Sequence, residues 1–359
     1  MKLLSAATCT ALLTGAIAAV VAAPPRAESN PLRVSMSAAQ AGRGTVEVTI
    51  TNTSNQSVRM PQWLLPSSLI QAKLFRISRD GEQVQYEGPM IKRGLPTAAE
   101  FTVLRPGESR RTVVDLSKGY DMSQGGQYTV TLMSSTQHAS LSSGKMLQAR
   151  GLPMALQSAP LQLWVKGNDA GSTRLSAQAK PGAGGSVVNG VSYVGCSSTQ
   201  ISGAGSAVVE ARKYSENAKG YLAGGTVGPR YTTWFGAYTS ARYSTVRQHF
   251  VDIDAAMDQN AGQVKVNCGC NQNYYAYVYP TRPYEIFVCR AFWTAPNTGT
   301  DSRAGTLIHE MSHFNNVAGT DDHVYGQSGA KSLAISDPAA AIDNADSHEY
   351  FAENTPSQN

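Results

Sequence analysis

The hydrophobic period of this chain changes once, across a stretch that has no period of its own. Residues 167–190 are rich in Gly, Ser, Ala and Asn and include Lys180-Pro-Gly-Ala-Gly-Gly. A segment so poor in apolar side chains cannot fix itself against a core, so it is expected to be a flexible, easily cut linker. Before it, residues 31–166 carry short alternating runs: Thr45–Thr51, Lys73–Arg79, Gln83–Tyr86, Glu100–Leu104, Arg111–Asp115, Gln127–Leu132 and Leu161–Val165. Runs of period two, punctuated by turns such as Arg79-Asp-Gly and Arg105-Pro-Gly-Glu, predict an all-β, immunoglobulin-like sandwich. Its one histidine, His138, stands alone in a Ser-rich stretch and reads as a loop residue.

After the linker the period lengthens. Residues 202–222 place Val208, Ala211, Tyr214, Ala218 and Leu222 near a 3.6-residue repeat, and Gly224-Gly225 closes the run. A second helix is expected over Ser240–Met257, short strands over Val264–Cys268, Tyr274–Tyr279 and Tyr284–Cys289, and further helices over Arg303–Phe314 and Ser332–Phe351. The second half is therefore expected to be α+β, mainly helical with a small β-sheet. Two folded units suit a chain of 359 residues that is 42% hydrophobic.

The first 23 residues, with Lys2 ahead of an apolar run ending in small residues, read as a secretory signal peptide. The run is short for a spanning helix and no second candidate follows, so no stable membrane association is expected. Cys9 falls inside the signal, leaving Cys196, Cys268, Cys270 and Cys289. An even number in an exported chain predicts two disulfides. Cys268 and Cys270 are too close for an easy mutual bridge, so two arrangements remain, each sending them to Cys196 and Cys289. The net charge of +5 comes from scattered Lys and Arg with no basic run interleaved with aromatics, which argues against a nucleic-acid partner.

Chemistry concentrates in Gly305-Thr-Leu-Ile-His309-Glu310-Met-Ser-His313-Phe. On a helix, His309 and His313 lie one turn apart on the same face and can reach one metal, with Glu310 beside it as a general base. A catalytic zinc site wants three protein ligands and an open position, so a third ligand is needed. The loop Gly319-Thr-Asp321-Asp322-His323-Val-Tyr325-Gly326 offers Asp322 and His323 equally on chemical grounds. Tyr325 reads as either a core aromatic or a phenol directed at a substrate carbonyl.

His309-Glu-x-x-His313 followed by Gly319-Thr-x-Asp322-x-x-Tyr325-Gly326 resembles the deuterolysin, or aspzincin, family of zinc metallopeptidases, and within it the peptidyl-lysine metalloendopeptidases. Residues 230–236, Ala291-Phe-Trp293 and residues 345–354 are similar to family segments, so the resemblance covers about residues 190 to 354. It implies a zincin-like fold for the C-terminal domain and one catalytic Zn2+ held by His309, His313 and Asp322. It also implies Tyr325 as the oxyanion-stabilising phenol and pairings Cys196–Cys268 and Cys270–Cys289. Asp346 and Glu349, i,i+3 neighbours on the last helix, would line the pocket for the lysine side chain after the scissile bond. Their plain alternative is a solvated acidic face.

The organisation expected is a signal peptide (1–23), a β-sandwich pro-domain (24–166), a linker (167–190) and a metallopeptidase domain (191–359). A secreted, monomeric zymogen follows, acting on proteins and peptides on the amino side of lysine, with its pro-domain as inhibitor or folding aid. Such an enzyme could process itself between Ala179 and Lys180. The competing readings are a deuterolysin-like protease of broad specificity and a secreted adhesion protein with a structural zinc site. Glu310 speaks against the second, since a structural site has no use for a general base.

Overall fold

A computed structural model of the chain describes residues 30–149, 151–167 and 186–358. The signal segment with Cys9, and the Ala179–Lys180 bond, lie outside the described residues.

The N-terminal region is β-rich. Its strands are β1 (Leu32–Ala38), β2 (Thr45–Asn52), β3 (Val58–Pro61), β4 (Phe75–Arg79), β5 (Glu82–Gln83), β6 (Met90–Lys92), β7 (Phe101–Leu104), β8 (Ser109–Asp115) and β9 (Gly126–Ser135). Short strands β10 (Ser140–Leu141), β11 (Gln148–Ala149), β12 (Leu152–Pro153) and β13 (Ala155–Gln157) precede β14 (Leu161–Val165). One sheet runs β1-β2-β8; another runs β13-β9-β4-β5, with β14 also on β9. Strand β2 buries Val46, Val48 and Ile50 and leaves the residues between them half-buried, as its period of two requires.

The C-terminal region surrounds a small sheet with helices α1 (Ser198–Ala223), α2 (Pro229–Phe235), α3 (Ser240–Met257), α4 (Arg290–Thr294), α5 (Arg303–Ser312), α6 (Gln327–Ser336), α7 (Pro338–Ala341) and α8 (Ala345–Glu353). Its strands are β15 (Ser186–Val188), β16 (Val191–Val194), β17 (Lys265–Asn267), β18 (Ala276–Val278) and β19 (Glu285–Val288). Helix α1 begins in a reciprocal cap: Ser197 Oγ accepts from the Gln200 amide, and Gln200 Oε1 accepts from the Ser197 amide. Disulfides Cys196–Cys268 and Cys270–Cys289 tie the chain just after β16, β17 and β19.

Two expectations need correction, and one strand was not foreseen. The continuous helix expected over Ser332–Phe351 starts earlier, at Gln327, and is three pieces. Pro338 cannot extend α6, and the Asp337 side chain instead accepts from the Ala340 amide to cap α7. Residues 186–188, within the stretch expected as linker, form β15 on β16. Most consequential, β6 is unremarkable in sequence yet leaves the N-terminal sheets altogether. It completes the order β15-β16-β17-β19-β18-β6, antiparallel to β18.

Candidate active site

Helix α5 is buried along its length from Ala304 to Ser312, packed among α1, α3 and α8. Its N-cap Ser302 accepts from the Gly305 amide. Gly305 is required by close approach: a Cβ there would lie 2.1 Å from Glu353 Oε1 of α8. This intimacy brings residues of α8 against the histidines of α5.

The rings of His309 and His313 lie 4.9 Å apart, nearly perpendicular, and both side chains are fully buried. Beyond α5, Gly319 adopts φ 61°, a left-handed conformation suited to glycine, and returns the chain toward the helix. The returning loop is fastened by the Asp321 amide on the Asp343 carbonyl (2.7 Å) and the Ala345 amide on the Asp321 carbonyl (3.0 Å). Asp322 Oδ1 thereby comes 3.2 Å from His309 Nε2 and 3.5 Å from His313 Nε2. Those three atoms are buried without a hydrogen-bond partner, and each residue's candidate ligand atom lies within 4.8 Å of the others. Buried polar atoms left unpaired are costly, and three converging ones of this chemistry fit a zinc ion.

Of the other imidazole nitrogens, that of His313 is hydrogen-bonded and that of His309 faces carboxylates. His313 Nδ1 is 2.7 Å from the Thr320 carbonyl, which fixes that nitrogen as the donor and leaves Nε2 with its lone pair. His309 Nδ1 lies 2.8 Å from Asp346 Oδ1 and 3.3 Å from Glu349 Oε2. Asp322 is buried, which works against ionisation, yet the two imidazoles hold its carboxyl well below the usual range. Glu310 has both carboxylate oxygens buried and unpartnered. Burial pushes it up to about 7, against the opposing pull of His309 and His313. His323, chemically equal to Asp322 as a ligand in the sequence, is directed elsewhere: its amide donates to Asn344 Oδ1 and its Nε2 sits 2.8 Å from Asp343 Oδ2.

Beside this cluster lies an acidic pocket. Asp346 and Glu349 are fully buried, so α8 has no solvated acidic face at these positions. Between them and Asp301 lies the ammonium of Lys92, 2.6 Å from Glu349 Oε2 and 3.6 Å from both Asp346 Oδ1 and Asp301 Oδ1. Burial alone would lower the Lys92 pKa; the three carboxylates outweigh it and hold the pKa well above the ordinary value. The Tyr325 hydroxyl is also engaged, donating to the Ile91 carbonyl at 2.9 Å.

Sequence reasoning missed Asp301 and Lys92. Asp301 immediately precedes the N-cap of the histidine-bearing helix, a weak signal. Lys92, 257 residues from Glu349, carried none.

Two helix-borne histidines and a loop aspartate able to hold a metal, with the unpartnered Glu310 beside them, fit the class of metallopeptidases. Residues 222–353 match the aspzincin family, described as lysine-specific metallo-endopeptidase. An extracellular protease of Aeromonas hydrophila is 42% identical over 346 residues, spanning 96% of this chain and 97% of that one. A peptidyl-Lys metalloendopeptidase of Grifola frondosa is 35% identical, spanning 97% of this chain and 100% of its own. The solved zinc peptidase from Grifola frondosa is 48% identical and aligns over 46% of this chain and 100% of its own, with a TM-score of 0.44. The chain belongs to the aspzincin family and is a metalloendopeptidase.

Proposed function

We propose that this chain is the secreted precursor of a zinc endopeptidase that cuts on the amino side of lysine. The observation that carries this reading is the pocket of Asp301, Asp346 and Glu349, which holds a lysine ammonium next to His309, His313 and Asp322. A carboxylate cluster in which Asp346 and Glu349 are buried favours a long cationic side chain, because a charge is tolerated inside a protein only when it is matched. An arginine, whose flat guanidinium needs a wider seat, would be taken less well.

His309, His313 and Asp322 would hold one zinc ion. Bound there, zinc supplies Lewis acidity, making water acidic enough to deprotonate near neutral pH and polarising a peptide carbonyl. Glu310 accepts the proton as water attacks the carbonyl carbon and delivers it to the amine as the C–N bond breaks. The Tyr325 hydroxyl donates to the carbonyl oxygen as negative charge grows on it. Asp346 holds the His309 ring through Nδ1 while also facing the pocket, and so links metal geometry to lysine binding.

The residues before the catalytic unit form a pro-region behind a signal peptide, 1–23. We read the N-terminal domain as immunoglobulin-like. Support comes from the orders β1-β2-β8 and β14-β9-β4-β5 and from Tyr128, early in β9, whose hydroxyl donates back to the Gln124 carbonyl at 2.7 Å. Export fits the two disulfides and the extracellular protease of Aeromonas hydrophila. Among the described residues, no helix is long and apolar enough to cross a membrane. The mature unit is proposed to act as a monomer on proteins and peptides.

Mass-spectrometric mapping of bonds cut in an unfolded protein, with zinc-replete and chelated enzyme side by side, tests the reading. Chelator-sensitive cuts before lysine are expected. Chelator-sensitive cuts without that preference would remove the pocket assignment, and cuts indifferent to chelation would remove the metal.

A further inference from the structure

Lys92 belongs to the N-terminal region, yet its ammonium is the deepest cation in the C-terminal pocket, with a side chain only 2% exposed. Its backbone arrives as a strand. Met90, Ile91 and Lys92 pair with Val278, Tyr277 and Ala276, and the Tyr275 amide donates to the Lys92 carbonyl at 3.0 Å. An extended peptide added antiparallel to a sheet edge is a general mode of peptide capture, with backbone bonds giving affinity and a side-chain pocket giving choice.

The register matters more than the pairing. In cleavage before lysine, the reacting carbonyl belongs to the residue ahead of the lysine. Here that carbonyl is Ile91's, and it accepts the Tyr325 hydroxyl while Lys92 fills the acidic pocket. The flanks are held as well. Gln137 Nε2 donates to the Tyr325 carbonyl at 2.9 Å, and Gln137 Oε1 accepts from the Tyr325 amide at 3.2 Å. Lys73 reaches both oxygens of Asp321 at 2.8 and 2.6 Å. Arg93, next after Lys92, lies over the rings of Trp63 and Tyr274.

We propose that the N-terminal region keeps the unprocessed chain latent by lodging Lys92 in the acidic pocket as an intramolecular substrate mimic, with the Ile91–Lys92 bond in the position of a substrate's scissile bond. The proposal rests on the lysine-directed reading above. A tethered occupant competes at an effective concentration on the order of millimolar, enough to exclude ordinary peptide substrates. Because Met90 and Arg93 stay anchored on either side, the consequence is occupancy rather than turnover. Removing the N-terminal region after a cut in the linker would empty the pocket.

The test uses zinc-loaded, full-length Glu310→Gln chain, so that proteolysis does not intervene, titrated by calorimetry with the peptide Ala-Ala-Lys-Ala. Lys92→Ala, and Lys92→Met to retain the aliphatic stem, are compared in that background after their folding is checked by circular dichroism. The pocket with Lys92 in place is expected to bind the peptide at least about 100-fold more weakly than the Lys92→Met chain. Replacing the peptide's lysine by alanine should abolish the difference. Equal binding with and without Lys92 would overturn the proposal. So would weak binding by both Lys92 variants when the same chain, cut in the linker and freed of its N-terminal region, binds well.

If that freed form ignores the lysine of the peptide, the lysine-directed reading fails and takes the proposal with it. Amine acetylation of the Glu310→Gln chain gives a readout that needs no variant at Lys92. Lys92 should stay unmodified until the N-terminal region is released, and ready labelling in the intact chain would refute its burial in the pocket.

Discussion

Two neighbouring parts of the site treat buried polarity in opposite ways. At His309, His313 and Asp322, nitrogen and oxygen atoms converge buried and without a hydrogen-bond partner. A few ångströms away, a lysine ammonium from the chain itself lies within 3.6 Å of carboxylate oxygens of Asp301, Asp346 and Glu349 and answers their charge. Unmatched polarity in a protein interior is costly, so each cluster implies a partner of opposite character. For the first the partner is a metal ion; for the second it is a cation on a flexible stem. Asp346 and Glu349 both face each part, but Asp346 sits nearer the metal cluster, 2.8 Å from His309 Nδ1 against 3.3 Å for Glu349, and Glu349 sits nearer Lys92, at 2.6 Å against 3.6 Å.

Substitutions that separate the two parts make the contrast sharp. In the processed enzyme, Glu310→Gln is expected to lower kcat by about 10²- to 10⁴-fold with metal content intact, as elemental analysis beside steady-state kinetics would report. Loss of zinc in that variant would place Glu310 among the ligands instead. Glu349→Gln should leave metal content unchanged and reduce kcat/KM for lysine peptides by about 100-fold, the scale of ~3 kcal/mol for one partner lost from a buried ion pair. An equal loss on peptides lacking lysine would erase the distinction between pocket and metal cluster. Asp346→Asn is the bridging case: zinc affinity should weaken about 10- to 100-fold in competition with a chromogenic chelator, and lysine preference should fall with it. His323→Ala, whose ring belongs with Asp343, should change neither zinc content nor kcat/KM by more than about twofold. A large effect there would mean that His323 swings into the cluster.

Helices α1, α3 and α5 were legible because apolar residues repeat along them; the capping residues Ser197, Thr239 and Ser302 went unread, and α1 begins at Ser198, ahead of the expected start. The break of the last helical stretch was also written there, in Asp337-Pro338, but a window of apolar residues on both sides concealed it. The histidine pair could be read because both residues share one turn of one helix. His323 and Asp322 could not be ranked, since the choice depends on how the loop is tied to Asp343, Asn344 and Ala345.

The sequence by itself determined the main helices and the longer strands, which four cysteines are available, and which short segment holds residues able to bind a metal. Those properties depend on residues a few positions apart, where spacing fixes geometry. Tertiary structure alone decided that Asp301 joins Asp346 and Glu349, and that Lys92, on a three-residue strand, answers their charge. Nothing local marks such a lysine. Its position follows from two separately encoded regions meeting across a sheet edge, and its burial is tolerable only because three carboxylates, Asp301 ahead of α5 and two on α8, are already there.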